Sequence, residues 1–391
     1  MHLARLVLTL VAAVTTAACA TTAGPTAPAS RFAISANDNK LMLDNGTVKI
    51  VPNAAPDTIT VIDLTASPPR VVAELAVPTS VVGPPLSVAL TPDESLALVT
   101  SAQKKDPADP AKVVDDDRVT VVDLTANPPR VLTTLQAGRQ AAGVSVNRQG
   151  NLALVANRAE GTVSVFTIEG KTVTPAGKIT IGDAKIGTSH AAFTPDGKTA
   201  LVTRDGDDRV AVLKVDGTKV EYTKRDLYAG LRPYGLDVAA NGAFAAVANI
   251  GRGQGDSDTV SLIDMKANPI RVVDTVSVGQ TPEGIKVSPD SRFVAVVAMN
   301  GSNKAKTSPF YNDNGKLIMF RVDGGKLTRV AEANIGHWSQ GAAFSADSRT
   351  ILVGNMVEKN VQVFAWDGAT LRETAKIPVN GGSAAVRTAE R

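Results

Sequence analysis

The run AGVSVNRQGNLALVANRAEGTVSVFTIEGKTVTPAGKITI, residues 142–181, decides the fold. It breaks into four apolar stretches, 142–146, 152–156, 162–167 and 173–181, separated by short polar turns. Alternation with a period of two, as in Val163-Ser164-Val165-Phe166, argues for strands and against helices. The unit recurs along the chain. An apolar residue ends one stretch and a small or polar residue ends the next, 11 positions later: Leu90 and Ser101, Val146 and Asn157, Phe193 and Arg204, Val238 and Asn249, Val287 and Ala298, Phe344 and Asn355. Turns such as Thr91-Pro92-Asp93, Thr194-Pro195-Asp196-Gly197 and Ser288-Pro289-Asp290 lie between the members of a pair. Copies follow one another roughly every 50 residues, the mark of a repeat array.

Each copy carries four strand signals. The third and fourth are joined by Asp216-Gly217, Asp323-Gly324, Asp367-Gly368 or Glu169-Gly170, residues suited to tight hairpins with positive φ. Three copies use proline-containing joints instead, at 66–70, 126–130 and 267–271, where a residue without an N–H belongs outside the ladder. Four-stranded antiparallel units arranged around an axis make a β-propeller. The opening run, Phe32-Ala33-Ile34-Ser35-Ala36-Asn37, matches a second strand, and the closing run, 381–386, matches a first strand with no unit of its own. Joined, they complete a seventh blade and remove the open sheet edges. The expected fold is therefore all-β: a seven-bladed propeller of four-stranded antiparallel blades over residues 32–388, one blade being closed by strands from both termini. Aromatic residues make up only 4% of the chain, so the core must be Val, Ala, Leu and Ile.

These features resemble the YVTN-repeat propellers. The shared marks are a Pro-x-Gly before the first strand (Pro233-Tyr234-Gly235, Pro282-Glu283-Gly284), the Pro-Asp turns, and a second strand that ends in Asn (Asn37, Asn157, Asn249, Asn355). The likeness spans residues 32–386 and takes in YncE-like periplasmic proteins and lactonase-like propellers. It implies the fold; it does not transfer catalytic residues.

Residues 1–18 read as a targeting segment, with Arg5 ahead of an uncharged, largely apolar stretch, 6–18, too short to span a bilayer as a helix. The only cysteine, Cys19, follows Thr16-Ala17-Ala18 and resembles a lipoprotein box; ordinary cleavage after Ala20 is the alternative. Residues 19–31 fit a Thr/Ala/Pro tether. Either processing implies a periplasmic protein, the first one anchored to the outer membrane by lipid. With 41 basic and 38 acidic residues there is no concentrated basic field, which argues against nucleic acid. The expected state is a monomer.

Strand direction sorts the connections onto two ends. The Pro-Asp and Asp-Gly turns share one end. Every long insertion, 38–57, 102–117, 250–258 and 299–315, shares the other with the connectors between blades, as binding faces of repeat proteins often do. Those connectors carry Arg139, Arg232, Tyr234, Glu283, Trp338 and Gln340, with His190 and His337, the two histidines beyond residue 18. A His or Glu283 would activate water and an arginine would steady an oxyanion, while Tyr234, Trp338 and Gln340 would contact ligand. Arg204 replaces the motif Asn in the fourth unit and is a candidate anion contact. Exposed connectors also collect polar residues without purpose. Acidic tips at 115–117, 205–208 and 256–258 could hold calcium, though aspartate runs in loops are usually just solvated; no other cofactor or metal is indicated. Two functions stay open: a platform that binds a small molecule or an extracytoplasmic protein through the long-loop face, or a lactonase-like hydrolase at the mouth of the central channel.

Overall fold

The computed structural model describes residues 30–391, so the targeting segment, Cys19 and most of the tether lie outside the described residues. Seven four-stranded antiparallel sheets are arranged around one axis. Their innermost strands are Gly382–Thr388, Val88–Leu90, Ala141–Val146, Thr188–Phe193, Pro233–Val238, Pro282–Val287 and Ser339–Phe344. Each touches the next, and the last touches the first, so the ring is closed. Blades are numbered 1 to 7 in that order. In blade 1, Gly382–Thr388 pairs with Phe32–Asp38, which sets Ala33 opposite Thr388 and Asp38 opposite Gly382.

Burial falls from axis to rim, and the sequence follows it. In blade 3, Ala141–Val146 and Leu152–Asn157 are buried throughout, Thr162–Glu169 nearly so, and Thr172–Thr180 is mostly exposed. Sheets stacked on both faces demand near-continuous small apolar runs at the centre, whereas the outer strand can turn one face to water. The core between blades is accordingly built mainly of Val, Ala, Leu and Ile, with Phe residues such as Phe166, Phe320 and Phe364 among them.

The Pro-Asp turns are held by their own side chains. Thr194 Oγ1 donates to Asp196 Oδ1 at 2.6 Å, which also accepts Lys198 N at 3.0 Å, and the pattern repeats at Ser288/Asp290 and Ser345/Asp347. The motif asparagines have the structural role expected of strand ends. Asn157 accepts Gly138 N at 2.9 Å and donates to Thr162 and Ser164, each at 2.9 Å, tying a blade's second strand to its third and to the incoming connector. Gly138 must be glycine because a Cβ there would lie 2.7 Å from the Asn157 amide carbon.

The long insertions are folded rather than free. Those of blades 1 and 2 contain two-stranded hairpins, Leu41–Asp44 with Thr47–Ile50 and Gln103–Lys105 with Val113–Asp115. They also lean on one another. Asn45 Oδ1 accepts Lys306 N at 3.0 Å, Lys304 Nζ donates to Gly253 O at 2.6 Å, and Lys105 Nζ reaches Pro52 O at 2.9 Å. Blades 1, 2, 5 and 6 thereby carry a wall around the channel end, while blades 3 and 4 stay low.

Candidate active site at the channel mouth

Two backbone devices aim side chains into this mouth. The residue that enters the innermost strand is left-handed in blades 3 to 7: Gln140 (φ 55°), Gly187 (58°), Arg232 (58°), Thr281 (51°) and Trp338 (49°). Four of these five are not glycine, and non-glycine residues held in that region cluster at functional sites. Immediately afterwards each innermost strand carries one extra residue relative to its neighbour, between Ala141 and Val144, Thr188 and Ala191, Pro233 and Leu236, Pro282 and Gly284, and Ser339 and Ala342. Such bulges re-aim side chains. Here they carry Ser189, Tyr234, Glu283 and Gln340.

On the low side of the mouth these side chains form one network. Arg158 donates to Asp205 through Nη1 (2.8 Å) and Nη2 (3.2 Å), and also to Ser189 Oγ. Asp205 Oδ2 accepts Arg232 Nη2 at 2.9 Å, and Asp205 Oδ1 accepts Ser189 Oγ at 2.7 Å. The Arg158 guanidinium lies 5.4 Å from the centre of the Tyr234 ring. Burial alone would push Asp205 up, but Arg158, Ser189 and Arg232 outweigh it and hold the carboxyl below its ordinary value.

Glu283 is the unusual member. Its side chain is half-buried at the mouth and has no salt-bridge partner within contact distance among the described residues. With the Gln340 amide oriented by its hydrogen bonds, Gln340 nitrogen donates to Glu283 Oε2 at 3.0 Å and its oxygen accepts Trp338 Nε1 at 3.1 Å. Desolvation pushes the Glu283 carboxyl up to about 8; the Gln340 bond and the more distant Arg232 and Arg158 only partly oppose it, and Asp205 adds to the rise. The other side of the mouth is apolar. Trp338 packs with Leu41, Val81, Met299, Met356 and Ala384 into a plug under the long loops.

The nine residues singled out from the sequence do not form one constellation. Glu283, Arg232, Tyr234, Gln340 and Trp338 come together. His190 does not join them: its ring is buried deeper in the channel, toward the short-turn end, where it is influenced by Arg387, Glu390 and Lys286 and by none of the groups around Glu283. The reason is its place in the strand, one step past the bulge residue Ser189. His337 sits on the rim, paired with Glu358 Oε1 at 2.6 Å. Arg139 is also on the rim, with its side chain 62% exposed and bonded to Ala159 O. Arg204 points outward within blade 4, where Asp207, Asp226 and Tyr222 occupy its donors. Arg158 is not among the residues singled out from the sequence, and Asp205 is named there only within an acidic tip, although both follow the residue that ends a second strand, which is a usable signal. No group of three or more His, Cys, Asp or Glu among the described residues is arranged to hold a metal ion. Asp205, in one of the acidic tips, is committed to Arg158 and Arg232.

Solved structures share this architecture at low identity. The periplasmic gluconolactonase of Pseudomonas aeruginosa superposes with a TM-score of 0.67 at 18% identity, covering 92% of this chain and 98% of that one. A protein of Bacteroides uniformis provisionally named a 6-phosphogluconolactonase gives 0.69 at 17%, covering 92% and 99%. Hydrazine synthase of Kuenenia stuttgartiensis gives 0.62 at 19%, covering 80% and 91%. At these identities the likeness establishes the fold alone. No curated protein sequence matches the chain. A family model does match, over residues 133–386, a span that takes in Arg158, Asp205, Arg232, Tyr234, Glu283 and Gln340: the chain belongs to the lactonase family of seven-bladed β-propellers.

Proposed function

We propose that the protein is a lactone hydrolase acting at the channel mouth, with Glu283 as its acid–base group. The observation that carries this reading is the Glu283 carboxyl itself, raised to about 8 at the channel mouth beside the cluster of Arg158, Arg232 and Tyr234. A group with a pKa near working pH is suited to moving protons in both directions. As carboxylate, Glu283 accepts a proton from water while the water oxygen attacks the lactone carbonyl. Arg232 and Arg158 face the charge that develops on the carbonyl oxygen. The tetrahedral adduct collapses with cleavage of the ring C–O bond. Glu283 then returns its proton to the departing alkoxide, leaving a hydroxy acid. Asp205 and Ser189 position the two arginines.

The family membership supports this class of chemistry. The names of the gluconolactonase-type neighbours make sugar lactones the first substrates to try. The long loops pack on one another, the Phe310 ring lying so close to Gly255 that a Cβ there would overlap it, while Phe310 itself stays 42% exposed. The YncE-like likeness is kept for the repeat only. The targeting segment and Cys19 support a periplasmic, lipid-anchored location, which loss of acyl labelling in Cys19→Ala would test. For activity, the experiment is acid release from sugar and aromatic lactones. Glu283→Gln is expected to lose at least about 100-fold in kcat/KM. Equal turnover by wild type and variant, or none by either folded protein, would overturn the proposal.

A further inference from the structure

The opposite end of the channel carries a second polar cluster, unused by the mechanism above. Ser145, Arg148, His190, Asp237, Arg387 and Glu390 line a void of about 30 Å³, and Arg148 and Glu390 also border a larger groove of about 300 Å³ under Pro289 and Phe344. The void has room for a water or one small ion and none for a sugar.

Its donors are not all used. Arg387 is 3% exposed; its Nη2 donates to Glu390 Oε1 at 2.5 Å, while Nε and Nη1 are buried without a partner. Ser145 Oγ is buried without a partner as well. His190 is 1% exposed, and its Nδ1, pressed against the backbone of Gly143, finds none. Leaving several buried donors unmade in one place is costly, and each such group needs an account.

The charges do not balance either. Lys286 spans Asp237 (3.0 Å) and Glu390 (2.6 Å), and Arg387 shares Glu390. Arg148 adds a third cation, its Nη1 bonded only to the carbonyl of Ala240 at 3.1 Å. Three cations face two carboxylates. Burial, with Arg387 and Lys286 nearby, keeps His190 neutral, whereas Lys286 and Arg387 overcome burial to hold Glu390 ionised. Arg148 is only part-buried and faces the groove, so the excess positive charge lies at the edge of the site, while Arg387, inside it, keeps two N–H groups unmade.

We propose that this floor site binds one small inorganic anion, with chloride as the fitting type, held by Arg387 and Ser145 beside His190. It would lock the innermost strand of blade 1 to those of blades 3 and 4, and it stands independently of any reaction at the mouth.

Thermal unfolding of the protein tests this, with sodium chloride replacing sodium isethionate at constant ionic strength. Wild type should show a saturable rise in midpoint of roughly 2–5 °C. Arg387→Gln should lose it; if that variant does not fold, Ser145→Ala should shift the chloride dependence several-fold to higher concentration. Crystals grown in bromide should show an anomalous peak within hydrogen-bond reach of Arg387 and Ser145. A flat wild-type response, a chloride effect unchanged in the folded variants, or bromide found only elsewhere would overturn the assignment.

Discussion

A single carboxyl distinguishes the mouth from an ordinary polar surface. Glu283 has a folded-state pKa of about 8 against 4.5 for a free glutamate, because it is desolvated and its two arginines are largely committed to Asp205. Between those values the folded protein keeps a proton that the unfolded chain has released. The stability contributed by this group is therefore complete below about pH 4.5 and lost as pH rises through about 8. Glu283→Gln, which cannot ionise, should match wild type within about 1 kcal/mol at acidic pH and exceed it by a few kcal/mol, ~3, once pH passes 8; urea unfolding at the two extremes measures the difference. Equal pH dependence in both proteins would mean that Glu283 is solvated like any surface glutamate. His337→Ala should leave lactone turnover within about twofold of wild type, since its partner Glu358 and its place on the rim keep it out of the Glu283 cluster. Loss of activity in that variant would place the chemistry on the rim.

The elements were more legible than the side chains they carry. The pairing of Val146 with Asn157, the Pro-Asp turns and the Asp-Gly hairpins specify strands, turns and their order, because turn chemistry and period-two alternation are local properties. The role of Asn157 follows from the same logic, and Asn157→Ala removes three buried hydrogen bonds at once. It should cost about 2–4 kcal/mol in chemical unfolding; a loss under ~0.5 kcal/mol would show that the strand end is held by other means. Side-chain aim was not legible, because it depends on the bulge in each innermost strand. One extra residue moves Ser189 to the mouth and leaves His190 below it, and no composition signal at residue 189 or 190 announces that shift. Arg204 misled for a related reason. It occupies an asparagine position, but its longer side chain reaches outward to Asp226 at 2.9 Å. The hairpin in the first insertion could have been read from Asn45-Gly46, a strong two-residue turn signal.

At the scale of the molecule, seven blades close because Gly382–Thr388 completes a sheet begun at Phe32. The run at 32–37 reads as a second strand and that at 381–386 as a first strand, which together specify this closure. Removing residues 382–391 should abolish cooperative unfolding, since it strips blade 1 of its innermost strand and opens the ring. A circular permutant cut at Asp216-Gly217, an exposed hairpin, should retain it. A truncated chain that still unfolds in one transition would refute this view of closure. The closed ring also separates two polar ends, the Glu283 mouth under the long loops and the Arg387 floor beyond it. The central claim concerns the mouth, and the pH profile of lactone hydrolysis tests it most directly. If the Glu283 carboxylate activates water, kcat/KM should rise about tenfold per pH unit and level off near pH 8, and Glu283→Gln should remove both the activity and the inflection. Hydrolysis that is flat across that range, or an inflection that survives in Glu283→Gln, would contradict the account.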